Sequence, residues 1–136
     1  MDPSKPPPSQ ATCTTCTFAD DFSNYWTAVL YFRARNGSYH RVPQKANVGF
    51  EGARGGGMSI YYIPYIGNTK MSVTAFRPGF RMLTGTQSSR TKAEAARWRQ
   101  LTYTCLQDPM TRTGETMDMP KKPCPAGIMA NVRFPT

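Results

Sequence analysis

The chain has 136 residues, 39% of them hydrophobic, with 17 Lys and Arg against 8 Asp and Glu and a formal charge of +9. That length suits one domain with its own core. Its longest apolar runs, such as "AVLYF" at 28 to 32, are strand-length, and the mean hydropathy is −0.52, so nothing in it is a membrane span of about 20 mostly apolar residues.

The basic balance points to anionic partners such as nucleic acid, acidic polysaccharide or phosphorylated wall polymer. The arginines are dispersed, however, and no run of five or six basic residues exists. Nucleic acid is therefore not favoured over a scattered, solubilising surface charge.

Residues 1 to 11 are rich in Pro, Ser and Lys and read as a disordered lead without the apolar region of a secretory signal. A single β domain is expected over 12 to 136. In "SNYWTAVLYFRARNGSYHRV", 23 to 42, Trp26, Ala28, Leu30, Phe32 and Ala34 alternate with Tyr25, Thr27, Val29, Tyr31, Arg33 and Arg35. Asn36-Gly37 predicts a hairpin with a type I′ turn, and a short partner strand runs from Ser38 to Val42. "QKANVGFEGARGGG", 44 to 57, reads as a glycine-rich loop lacking the Gly-Lys-Ser/Thr of a phosphate cradle.

Strand patterns follow at 58 to 65 and 71 to 76, with a turn at Pro78-Gly79. Thr91 and Glu94 make a capping box for the single helical candidate, "TKAEAARWRQ". "LTYTCL" returns to strand pattern. A turn-rich loop leads from there to a last strand at 128 to 134, with Ile128, Ala130, Val132 and Phe134 on one face. Six strands against one short helix predict an all-β fold, an antiparallel β-sandwich or jelly roll.

Candidate chemistry is sparse. The sole histidine, His40, sits beside the hairpin turn, and neither Ser38 nor Ser59 has a partner that sequence can name, which disfavours a serine-histidine site. Asp20-Asp21, Glu51, Asp108, Glu115 and Asp118 all fall in loops. No two acids occupy one strand at the i, i+2 spacing that would line a glycosidase cleft. Cys13 and Cys16 form one close pair, but Cys105 and Cys124 are too far apart in sequence for a compact zinc set, so no metal is expected. "CTTC" also follows the lead rather than a strand, unlike a thioredoxin-type site. Asn36-Gly37-Ser38 is an N-glycosylation acceptor pattern at Asn36.

Spaced motifs resemble a known family. Cys13-x-x-Cys16, "SNYW" at 23 to 26, "LYF" at 30 to 32, "NGS" at 36 to 38 and Gly57-Met58 before Tyr61-Tyr62 contribute. So do "VTAF" and "PGFRML" within 73 to 83, Cys105, "CPAGI" from Cys124, and Phe134-Pro135. Together they are similar to the fungal secreted DUF1996 family, a domain of unknown function sometimes joined to WSC modules. Members carry an upstream signal peptide and His-x-His segment, and continue past Phe-Pro with a cysteine, a Trp-Asp-Gly and further histidines. This chain has "MDPSKPPPSQ" and Thr136 at those places. The resemblance therefore implies a central portion truncated at both ends, onto which no family site residue carries over.

The resemblance implies an extracellular or cell-wall-associated, polysaccharide-interacting domain, not catalytic as this chain stands and needing no cofactor. A truncated piece of a glycan-active enzyme is the alternative, and a basic nucleic-acid-associated protein the second. Aromatic faces stack on sugar rings, which nominates Tyr25, Tyr31, Tyr61, Tyr62 and Tyr65, with Arg33 beside them for hydroxyls or acidic groups. Residues 25 to 35 are expected to form an interior strand with Trp26, Leu30 and Phe32 facing the core. Four cysteines allow three pairings. Pairing of neighbours predicts Cys13–Cys16, and Cys105–Cys124 across one loop.

Overall fold

The computed structural model describes residues 2, 4–5, 9–47, 57–64, 67 and 72–134. The expected roles of Tyr65, Glu51, most of the glycine-rich loop, Pro135 and Thr136 lie outside these residues. The chain divides into two compact units, Met1–Gly79 and Phe80–Thr136. Strand is the dominant regular structure, in two two-stranded antiparallel sheets, as the all-β reading predicts.

In the first unit β1 (Tyr31–Arg33) pairs with β2 (Tyr39–Arg41), Tyr31 opposite Arg41, Phe32 opposite His40 and Arg33 opposite Tyr39. The Val42 amide donates to the Leu30 carbonyl and extends the ribbon by one pair. The turn differs from the expected type I′. Only Gly37 has positive φ, at +86°. The Gly37 amide donates to the Ala34 carbonyl, and the Ala34 amide to the Ser38 carbonyl. This is the three-residue loop that ends in a left-handed glycine bulge. Asn36 avoids the left-handed region by spending its side chain instead: Oδ1 accepts from the Ser38 amide at 3.0 Å and the Ser38 hydroxyl at 2.7 Å.

A Cβ at Gly37 would meet nothing within 4 Å, so Gly37→Ala tests backbone strain alone. It should cost about 1–2 kcal/mol, read as a lower urea midpoint with an unchanged slope. An unaffected midpoint would mean that the turn has an alternative conformation of equal energy.

The interior strand is corrected. β1 has three residues and one partner, and Trp26, Leu30 and Phe32 are 64%, 41% and 63% exposed. Alternation does separate the faces, with Leu30, Phe32, His40 and Val42 on one and Tyr31, Arg33, Tyr39 and Arg41 on the other. Among the described residues no second layer covers the apolar face, and no hydrophobic side chain is fully buried. The segments 58–64 and 72–76, expected as strands, join no ladder. Side chains anchor them instead: the Ser59 hydroxyl accepts from the Asn47 amide at 2.9 Å, and Tyr62 packs against Phe76.

In the second unit α1 (Lys92–Ala95) is short and its start is fully specified. The Thr91 hydroxyl accepts from the Glu94 amide, while Glu94 Oε2 accepts from the amides of Thr91 and Arg90. Those bonds, the Arg90 amide first, hold the Glu94 carboxyl below its ordinary range. The chain then enters β3 (Leu101–Cys105), which pairs with β4 (Ile128–Val132) from Leu101–Val132 to Cys105–Ile128. On its other edge Tyr103 exchanges both backbone hydrogen bonds with Thr116. Flanked on both sides, β3 contains the one residue buried outright among those described, Thr104, at 1% exposure. On β4 the Ile128, Ala130 and Val132 face is the open one, while Met129 and Asn131 are better covered.

The Cys105–Cys124 disulfide forms, whereas Cys13 and Cys16 are free thiols, which corrects the expected Cys13–Cys16 pair. Thr14 shapes that segment: its hydroxyl accepts from the Cys16 amide at 3.0 Å and donates to the Asp21 carbonyl at 2.6 Å. The intervening turn is thus organised by a threonine rather than by a bridge.

Candidate functional site: a tethered tyrosine cluster

The first unit gathers several of the nominated residues. Tyr25 is half-buried, and its hydroxyl lies 2.7 Å from the Tyr62 hydroxyl and donates to Asp21 Oδ2 at 2.9 Å. The Tyr62 ring is tilted 50° against Phe76 with centroids 6.0 Å apart, a favourable aromatic arrangement. Its neighbour Tyr61 accepts at its hydroxyl from Asn47 Nδ2 at 2.8 Å. Tyr61 and Tyr62 are both exposed while their hydroxyls are tethered. Rings held in this way lose little further freedom when a flat ligand stacks on them.

The charges agree with that arrangement. Burial, then the hydrogen bond with Tyr62, pushes the Tyr25 hydroxyl well above the ordinary phenol range. For Asp21, burial pushes the carboxyl up, but hydrogen bonds from Ser23 and Tyr25 outweigh it and leave the group low. Asp21 is thus a fixed anion that accepts from the Tyr25 hydroxyl. Tyr31 and Arg33 lie elsewhere in the unit, on the hairpin face shared with Tyr39 and Arg41.

One contact was invisible to sequence reasoning. Ser38 Oγ is 3.0 Å from His40 Nε2, the spacing of a nucleophile and its base. A competing acceptor stands beside the hydroxyl, however. The Ser38 hydroxyl also lies 2.7 Å from Asn36 Oδ1, to which it donates, so its one proton is engaged away from His40. The same two bonds to Asn36 occupy the side chain of the glycosylation pattern, on an exposed turn.

Glu115 and Asp108 do not resemble the general acid of a glycosidase, whose pKa is raised. Glu115 is held low by its hydrogen bonds with Arg133 and Thr102; the guanidinium binds it through two nitrogens, at 2.5 and 3.0 Å. Asp108 is held low by Thr111 and by the Met110 amide, and Asp118 is paired with Lys92 at 2.6 Å. Among the described residues no cluster of three His, Cys, Asp or Glu is placed to hold a metal ion, and no helix is long and apolar enough to cross a membrane.

In the second unit a cavity of about 180 Å³ is lined by Trp98, Leu101, Tyr103 and Met117 with Thr86 and Ser89 at its polar side. Sequence reasoning nominated none of these. Leu101 and Tyr103 were legible only as part of a strand, and Trp98 only as part of the helical candidate, which in the structure ends at Ala95.

No curated protein and no solved structure is detectably similar to the chain. The family model of a domain of unknown function, DUF1996, matches residues 2–136, and the chain belongs to that family.

Proposed function

We propose that this domain binds polysaccharide at the cell wall or elsewhere outside the cell, and that Tyr25, Tyr61 and Tyr62 form its contact surface. The carrying observation is the tethered cluster, in which exposed rings are fixed through hydroxyls that bond to other protein groups rather than wait for ligand. Stacking then supplies affinity, and the cluster has room for flat sugar faces because its rings are not buried in a core. The Cys105–Cys124 disulfide supports an oxidising compartment. Low, hydrogen-bonded carboxylates favour binding over hydrolysis.

The test is retention on insoluble β-1,3-glucan and chitin, measured as binding isotherms. Tyr62→Ala should weaken binding about tenfold, the scale of one lost aromatic anchor. Tyr62→Phe keeps the ring, loses the hydroxyl contact and should fall between. Absence of retention on both polymers, or an unchanged isotherm for Tyr62→Ala, would sink the reading.

A further inference from the structure

The outer face of the hairpin pairs tyrosines with arginines in a fixed register. Between Asp21 and Glu51 the sequence contains no acidic residue, yet it carries Arg33, Arg35, Arg41 and Lys45. The ribbon thus carries its basic charge with no acidic residue in its own stretch of chain. Register then fixes its pattern: Tyr31 stands opposite Arg41 and Arg33 opposite Tyr39. All four are exposed on one face, with each arginine beside a tyrosine across the strands and along them.

We infer that this face is a subsite for an acidic polysaccharide, specifically a polyuronate. The inference rests on the glycan-binding reading above and names the class of glycan. Cross-strand neighbours stand about 5 Å apart at Cβ, so a stacking surface and a guanidinium fork fall within the width of one sugar residue. A uronic acid offers both complements on a single ring, an apolar face for the tyrosine and a carboxylate for the bidentate arginine. A nucleotide fits less well, because a ribose separates the base that would stack from the phosphate that would pair. Neutral glucans have nothing for the arginines. The diagonal repeat, Tyr-Arg against Arg-Tyr, presents two such sites to successive residues of one polymer.

The experiment compares the intact chain on polygalacturonate, on soluble neutral β-1,3-glucan and on oligodeoxythymidylate at two salt concentrations. Polygalacturonate should bind at least tenfold more tightly than the glucan and weaken as salt rises. Arg33→Gln and Arg41→Gln should each reduce polygalacturonate affinity about tenfold, the loss of one charge-assisted hydrogen-bonded contact, and leave glucan binding unchanged. Arg41→Lys retains charge without the fork and should recover only part of the loss. Both arginines are exposed, so unchanged circular dichroism is expected for every variant. Equal binding of glucan and polygalacturonate overturns the subsite and leaves the tyrosine cluster standing. Equal or tighter binding of oligodeoxythymidylate overturns it in favour of nucleic acid. Failure of all glycans to bind overturns both.

Discussion

Replacing both members of the Cys105–Cys124 disulfide with serine should cost the second unit about 3 kcal/mol of stability. The bridge spans 19 residues of sequence, and closing a loop of that length in the unfolded chain is worth about that much in chain entropy. The folded loop has other closures beside the bridge. The Leu106 amide donates to the Gly127 carbonyl, the Ala126 amide to the Leu106 carbonyl, and the Gly127 amide to the Cys124 carbonyl. The backbone ladder can therefore survive the substitution, and the loss is expected mainly from the unfolded side, with a lower urea midpoint and more cleavage at Arg112, Lys121 and Lys122. A thiol titration of the native protein should find two reactive groups, Cys13 and Cys16. A midpoint that does not move in the double variant would show that the ladder closes the loop unaided. Four reactive thiols, or none, would contradict the pairing itself.

The elements that sequence foretold are those specified within a few residues. Thr91 and Glu94 lie three apart, bond each other's backbone, and start α1 where the capping box predicts. The four strands that form all lie inside runs with clear alternation. Asn36-Gly37 marked the hairpin, but not its turn type, because a polar side chain can satisfy the turn in place of a second left-handed residue. Alternation correctly divided Tyr31 and Arg33 from Leu30 and Phe32. It could not tell which face would be covered, since that depends on what packs against it, and here neither face is.

The site was partly legible for a related reason. Tyr25, Tyr61 and Tyr62 stand out as aromatics on extended segments, yet the Tyr25–Tyr62 contact joins residues 37 apart, beyond any local pattern. The hairpin's tyrosine–arginine pairing was not readable, because it depends on the cross-strand register that sets Tyr31 opposite Arg41 and Arg33 opposite Tyr39.

Tyr103→Ala should cost the second unit about 2 kcal/mol, while Tyr103→Phe should be mild. Tyr103 is the one position of β3 paired on both edges, with Thr116 at 2.7 and 2.8 Å through the backbone and Ala130 opposite on β4. The small Ala130 leaves room above the sheet, and the Tyr103 ring lines the cavity there with Trp98, Leu101 and Met117. Half-buried, the ring contributes roughly half of the 3–5 kcal/mol that truncating a fully buried aromatic costs. Its removal also widens the cavity rather than letting it collapse, because the disulfide and the Thr116 bonds hold the sheet in place. The paired variants separate ring from hydroxyl: a loss in Tyr103→Ala with little change in Tyr103→Phe assigns the effect to packing. Equal losses in both would transfer it to the hydroxyl. No loss in either would mean that the β3–β4 ladder and the disulfide carry this unit without the aromatic wall.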